Sequence, residues 1–225
     1  ILVGGGDGSI KHTADAFMQA GLPFGILPLG TMNLMAHDLG LPIELEDTFK
    51  AYAGGVAEKQ VDAASLNGET FLCMAAMGAV PRVSKAREDM RGDEGLALMP
   101  RLAPIVWDTI DQANQQRVWV ALKGKGRPVK TKTAALAVSC NRIEPPETGW
   151  KMNDFRRSQL SGGVLGLYGA SPVSMWDKLR LILKLQFGRW KHDRSITEWT
   201  GTGATVQTEH SSELLALDGE VGEYE

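Results

Sequence analysis

The run Gly4-Gly5-Gly6-Asp7-Gly8-Ser9 constrains this chain more than any other feature. It follows an all-apolar stretch, Ile1-Leu2-Val3, and precedes a segment with Ile10, Ala14, Phe17 and Met18 on one face at helical spacing. That order predicts a strand, a tight turn and a helix that Ser9 caps and Gly21 ends. The order then repeats. Phe24 to Leu27 reads as a second strand, Pro28 to Thr31 as a loop, and Asn33 to Leu39 as a second helix stopped by Gly40 and Pro42. A third helical stretch, Glu44 to Tyr52, ends at Gly54-Gly55. Strands alternating with helices predict a parallel α/β sheet.

The pattern switches near residues 56–60. Val61 to Leu66, Asn67-Gly68 and Thr70 to Met74 predict a hairpin with a tight turn. Val80 to about Gln115 reads as mostly helical, interrupted at Gly92, Gly95, Pro100 and Pro104. Arg117 to Leu122 and Lys130 to Val138 predict a second hairpin around Gly124-Lys125-Gly126. Val164 to Tyr168, Ile196 to Trp199, Ala204 to Gln207 and Leu214 to Leu217 read as strands, and Ser174 to Phe187 as a helix. The expectation is two domains, an α/β domain over 1–58 and a β-rich, sandwich-like domain over 59–225. At 225 residues, with 43% hydrophobic and 23% charged, the chain has enough apolar surface for both. No apolar run approaches the ~18 residues that span a bilayer, and no basic leader is visible. Because Ile1 already lies in a strand, a fragment lacking sequence at both ends is expected. Two cysteines, Cys73 and Cys140, and four scattered histidines argue against a disulfide scaffold or a metal finger and for a reduced, cytoplasmic setting.

The chemistry starts from the first loop. Glycines let backbone approach a bulky ligand, and the N–H groups of the loop and helix start make an anion site. A dinucleotide fold is excluded because the second strand ends in Leu27-Pro28-Leu29-Gly30, with no carboxylate for a ribose. A Walker loop is excluded because no Gly-Lys-Ser/Thr follows. Asp7 repels a phosphate unless a cation lies between them, so it binds Mg²⁺ indirectly, accepts a proton or caps the helix. The second loop, Pro28-Leu29-Gly30-Thr31-Met32-Asn33, also joins a strand to a helix. Parallel strands bring both loops to one sheet edge, where open α/β sheets bind ligands. Asn33 there is either a contact residue or an N-cap.

Gly5-Gly6-Asp7-Gly8-Ser9 resembles the GGDGT signature, and Pro28 to Asn33 with Ala36 and Leu39-Gly40 resembles PLGTxNxxAxxLG. With Leu217-Asp218-Gly219-Glu220 and the stretch from Val61-Asp62 to Phe71, these motifs resemble the diacylglycerol kinase catalytic-domain family, which includes bacterial lipid kinases and sphingosine kinases. GGDG alone is shared with NAD kinases and phosphofructokinases. The resemblance implies an NAD kinase/phosphofructokinase-like α/β nucleotide-binding domain and a β-rich lipid-substrate domain, with 214–221 returning to the cleft. It implies transfer of the γ-phosphoryl group of ATP, with Mg²⁺, to a hydroxyl of diacylglycerol or a related lipid. Nucleotide contacts then fall to Gly5, Gly6, Asp7, Gly8, Ser9, Gly30, Thr31 and Asn33. Asp218 is the implied general base with Asp7 its rival, and Glu220 with Asp218 the implied metal ligands. An extended chain across Asp218-Gly219-Glu220 would point both carboxylates the same way. Departures stand at Ser9 for threonine, Met32 for glycine, Leu34 for aspartate, and Ser161-Gly162-Gly163 where an Asp-Gly pair precedes a strand in many bacterial members. A non-catalytic nucleotide- or lipid-binding relative and an NAD kinase are the alternatives.

The net charge of −3 hides an asymmetry. Residues 176–194 hold six basic and two acidic residues, whereas 195–225 hold seven acidic and no basic ones. Trp176, Leu179, Leu183, Phe187 and Trp190 recur at three- and four-residue spacing among these bases. This reads either as a helix packed on the β-domain with solvated lysines or as one that visits a membrane surface. Trp107, Trp119 and Trp199 read as core, and the charges from Arg82 to Arg91 as a solvated helix face. Expected partners are a lipid with a free hydroxyl and a transient membrane contact, with a homodimer open and nucleic acid not expected.

Overall fold

The computed structural model describes residues 1–89, 116–144, 155–186 and 188–224, with Pro104, Trp107 and Asp108. Most of the expected helical stretch to Gln115, the end of the Arg82–Arg91 charge run and Phe187 lie outside the described residues.

Strands β1 (Leu2–Gly5) and β2 (Gly25–Pro28) pair in parallel, with Leu2 opposite Gly25 and Gly5 opposite Pro28. Both glycine loops therefore leave the same edge. Helix α1 (Asp7–Ala20) ends at Gly21, whose φ of 64° takes the left-handed conformation that costs glycine nothing. It starts earlier than the sequence implied. Gly6 holds the N-cap position and has no side chain to cap with, so Ser9 lies inside the first turn and is not the cap. Helices α2 (Leu34–Leu39) and α3 (Leu45–Ala53) follow. Ile10, Ala14, Ile26, Met35 and Ala36 form a core that also takes in Leu72 and Cys73. The first lobe thus buries its apolar face partly against chain beyond residue 58.

The rest is β-rich. Strands β3 (Ala64–Leu66) and β4 (Glu69–Phe71) form the expected hairpin, shorter than predicted, with Asn67 and Gly68 at φ of 50° and 91°. Then come β5 (Met74–Gly78), α4 (Ala79–Asp89), β6 (Arg117–Leu122), β7 (Val129–Lys132), β8 (Ala135–Cys140) and β9 (Leu165–Ala170). Helix α5 (Met175–Gln186), a 3₁₀ turn at Trp190–His192, and β10 (Ile196–Gly201), β11 (Ala204–Thr208), β12 (Glu213–Leu217) and β13 (Glu220–Tyr224) complete the chain. An antiparallel six-stranded sheet runs β10-β9-β8-β5-β12-β13, and a three-stranded sheet runs β11-β6-β7. Met77, Leu136 and Leu167 of the first pack on Val118 and Val120 of the second.

Three further expectations change. The predicted strand Lys130 to Val138 is two strands in two sheets. Buried Thr133 marks the crossing: its N–H donates to Gln116 and its hydroxyl lies 2.9 Å from the Ala170 carbonyl. Asp218-Gly219, at φ of 50° and 91°, is the two-residue turn of a β12–β13 hairpin, so this stretch is not extended. Trp119 is only half-buried, with the Lys130 ammonium 4.9 Å above its ring.

Candidate active site

The two glycine loops touch. A methyl on Gly30 would sit 2.3 Å from the Gly6 Cα, so close backbone approach requires glycine there. Leu29 N–H donates to Gly5 O at 3.1 Å and continues the strand pairing into the loop. Asn33, 4% exposed and at φ 47°, clamps the second loop. Its Oδ1 accepts from Gly30 N–H and its Nδ2 donates to Gly30 O, each at 2.8 Å. The Gly30 amide, expected to face a phosphate, is therefore engaged within its own loop. Asp7 caps α2 rather than its own helix: Oδ2 accepts from Leu34 N–H at 3.0 Å and Oδ1 from Met35 N–H at 3.1 Å. The first intrahelical bond of α1 is Ile10 N–H to Gly6 O, which leaves the Asp7, Gly8 and Ser9 amides ahead of it without i−4 carbonyls. Ser9 and Thr31 are exposed beside them. Gly5, Gly6, Gly8, Ser9, Gly30 and Thr31 thus share one edge, and the first-turn amides of α1 are the groups suited to an anion.

The β12–β13 hairpin closes over that edge. A methyl on Gly8 would lie 2.7 Å from Glu220 Cγ and Oε1. Glu220 Oε2 also sits 3.0 Å from Lys11 Nζ and 3.4 Å from His12 Nδ1. The Lys11 ammonium, on a side chain 4% exposed, bridges Glu220 to Glu69 Oε1 at 2.5 Å, and Tyr224 donates to Glu69 Oε2 at 2.7 Å. Burial pulls the Lys11 pKa down, but the bonds to Glu69 and Glu220 outweigh it and the pKa rises. The same Lys11 bond holds Glu69 below its usual range.

Asp218 points elsewhere than Glu220. Its Oδ1 accepts from Cys73 and Met74 N–H at 2.8 Å each, and Oδ2 from Leu72 N–H at 2.7 Å. The residue is 5% exposed. Burial raises its pKa, the three N–H bonds pull it back, and the nearby Asp7 charge raises it further. Among the described residues no group of three or more His, Cys, Asp or Glu side chains is placed to hold a metal ion.

A second constellation escaped the sequence reading. Arg157, between β8 and β9, donates to Asp38 of α2 from its backbone N–H at 2.8 Å, from Nε at 2.7 Å and from Nη2 at 2.5 Å. Its Nη1 reaches Leu72 O at 2.6 Å and Cys140 O at 2.7 Å. The two side chains are 3% and 2% exposed. The segment 72–74 is thus held by Asp218 through its N–H groups and by Arg157 through a carbonyl. The partners are 119 residues apart, so no local signal announces them. Lys11 did leave a signal, a lysine three residues before Ala14 on the apolar face of α1. Cys73 and Cys140 are free and buried, with the Cys140 thiol pushed up to about 11 by burial, which makes it a poor nucleophile.

Comparison with known proteins bears on the first lobe and on the fold. Residues 1–66 match the diacylglycerol kinase catalytic domain. An uncharacterised protein of Synechocystis sp. is 30% identical over 186 residues, 82% of this chain and 41% of that protein. The Probable lipid kinase YegS of Escherichia fergusonii is 41% identical over 90 residues, 37% of this chain and 29% of its own length. The chain thus matches less than half the length of these relatives. The crystal structure of a diacylglycerol kinase from Bacillus anthracis str. Sterne superposes with a TM-score of 0.60 at 15% identity, over 99% of this chain and 70% of that one. Another solved structure from that organism gives 0.65 at 19% identity, over 98% and 69%. These last two likenesses bear on the fold. Motifs and relatives converge on the first lobe, where residues 1–66 match the diacylglycerol kinase catalytic domain, and over its length the chain shares the fold of these solved structures.

Proposed function

We propose that this site transfers the γ-phosphoryl group of ATP to a hydroxyl of diacylglycerol or a related lipid. The observation that carries the reading is the contact of the Gly6 and Gly30 loops on one sheet edge, with Glu220 laid against Gly8 from the β-rich part. Phosphoryl transfer needs positioning and charge neutralisation more than covalent chemistry. The first-turn amides of α1 and the Ser9 and Thr31 hydroxyls orient the phosphates. Asn33 and Asp7 hold the shape of the second loop and of α2. Glu220, the carboxylate at the edge beside Gly8, would hold a Mg²⁺ brought by the triphosphate, whereas Asp218, the other implied ligand, has both oxygens taken by the Leu72, Cys73 and Met74 N–H groups. When bound, that ion neutralises phosphate charge. The family resemblance makes Asp218 the base on the lipid hydroxyl, and burial raises its pKa although its oxygens accept from the Leu72, Cys73 and Met74 N–H groups. Asp7 is its rival.

A non-catalytic nucleotide- or lipid-binding role is the second reading. It is favoured by the carboxylates of Asp7 and Asp218, whose bonds to Leu34, Met35, Leu72, Cys73 and Met74 give both residues a structural use. Labelled-phosphate transfer from ATP to a panel of lipid hydroxyls in mixed micelles separates the readings. The wild type transfers label to a lipid and not to NAD. Glu220→Gln lowers the rate about 10²-fold or more at a nearly unchanged melting temperature, whereas Asp218→Asn lowers the rate by as much and also lowers the melting temperature, because its amide nitrogen cannot accept from the Leu72, Cys73 and Met74 N–H groups. Transfer at background in every sample sinks the kinase reading, and transfer to NAD without lipid points to the NAD kinase alternative.

A further inference from the structure

Helix α5 has two unlike faces. Leu181, 3% exposed, packs with Ile143, Tyr168 and Trp190, and Ile182 packs on Ala79 and Ala134. The other side is open and apolar: Trp176 is 74% exposed, Met175 66%, Leu183 46% and Leu179 42%, with Val173 just ahead of the helix at 84%. Trp176, Leu179 and Leu183 line a groove of about 410 Å³ together with Arg180, Lys184 and Arg189. Trp190, which the spacing placed on the same stripe, is instead buried.

The surrounding charge is one-sided. Asp193 holds Arg180 at 2.7 Å and Lys184 at 3.1 Å, while Asp177 holds Arg180 at 2.8 Å and Arg194 at 2.7 Å. These contacts drive both carboxyls well below the usual range and keep them ionised; Lys178 is buried and Lys191 pairs with Glu198, so Arg180, Lys184, Arg189 and Arg194 against the two carboxyls leave the patch at +2. The pairs orient the cations without cancelling the patch.

We propose that this face of α5 docks on an anionic phospholipid bilayer. An apolar stripe flanked by cations complements a surface that is apolar below its headgroups and negative at them. A second copy of the same face brings like charge against like and is repelled. No helix among the described residues is long and apolar enough to cross a membrane, so the contact is one of lying on the surface. The inference goes beyond phosphoryl transfer and stands on α5 alone.

Flotation of the chain with vesicles tests it. Vesicles of phosphatidylcholine and phosphatidylglycerol in equal parts carry the wild type up the gradient, vesicles of phosphatidylcholine alone do not, and added salt weakens the binding. Trp176→Ser with Leu183→Gln, both at exposed positions, lowers the affinity about tenfold or more at an unchanged melting temperature. Lys184→Gln with Arg189→Gln lowers it too and flattens the salt dependence. Failure to float, equal binding to neutral vesicles, or variants that bind like the wild type overturn the proposal. So does a dimer in light scattering that Trp176→Ser dissolves, because the occupant is then a second copy. A chain that transfers phosphate in micelles but does not float ends this inference and spares the kinase reading. A chain that floats and transfers nothing does the reverse.

Discussion

Two polar seams tie the first lobe to the β-rich part, and they are built to different specifications. At the Asp38–Arg157 seam both side chains are nearly sealed from solvent, and the guanidinium spends its remaining donors on the Leu72 and Cys140 carbonyls. At the Lys11 seam one buried ammonium meets two carboxylates, Glu69 and Glu220, that are 43% and 45% exposed. The wet seam lies beside Gly8 at the edge formed by the glycine loops, and the sealed one joins α2 to the segment between β8 and β9. A charge pair with all its hydrogen bonds made and no water has one low-energy arrangement. A carboxylate that keeps half its surface in water exchanges partners at little cost. The difference teaches that the first lobe is held by one rigid charge pair at Asp38–Arg157 and one more readily exchanged pair at the edge beside Gly8.

The comparison breaks most clearly at Arg157. Arg157→Met strands a buried Asp38 carboxylate and two carbonyls, so urea unfolding should show a loss of about 3–5 kcal/mol. Asp38→Leu added to Arg157→Met should recover part of that loss, because the orphaned charge goes with it. Equal costs for Arg157→Met and Lys11→Met would erase the contrast. Gly30→Ala comes next, at about 1–3 kcal/mol, because its methyl meets the backbone of Gly6 at 2.3 Å. Gly203→Ala is the control, since its nearest contact, on the flexible Lys123 side chain, is an ordinary 3.4 Å. Nucleotide titration of the Gly30 variant should also show weaker binding. Lys11→Met has the smallest effect, about 1 kcal/mol or less, because its partners are half in water. Its pH dependence sharpens the point. The folded-state pKa of Glu69 lies below its ordinary 4.5, so in acid the unfolded chain takes up the proton first. The stability from this pair is complete above about pH 4.5 and disappears as pH falls through the depressed value. Unfolding curves of wild type and Lys11→Met should therefore converge toward low pH.

What was legible in the sequence was local. Both loop motifs, the Asn67-Gly68 hairpin and the helix from Met175 announced themselves through residues a few positions apart. The loop roles were less legible. Ser9 reads as a cap only until the structure puts Gly6 at the N-cap, and Asp7 turns out to cap the next helix across the sheet edge. The Asp218-Gly219 pair carries the dipeptide signal of a two-residue hairpin, which its likeness to an acidic site motif obscured; β13 was missed with it. Arg157 looked like any surface arginine, because nothing within a helical turn or a strand register of it marks its partner.

The sequence by itself determined that two strand–glycine–helix units would open on one edge, since the close turns and the parallel order follow from glycine placement and apolar periodicity. Only the tertiary structure decided which carboxylate faces the edge and which braces the backbone. Hydrogen bonds and ion pairs between residues 58 to 146 positions apart, such as Lys11–Glu69, Arg157–Asp38 and Asp218–Leu72, form only once apolar packing has brought the segments together. Their geometry is a property of that packing and leaves no periodic trace in the chain.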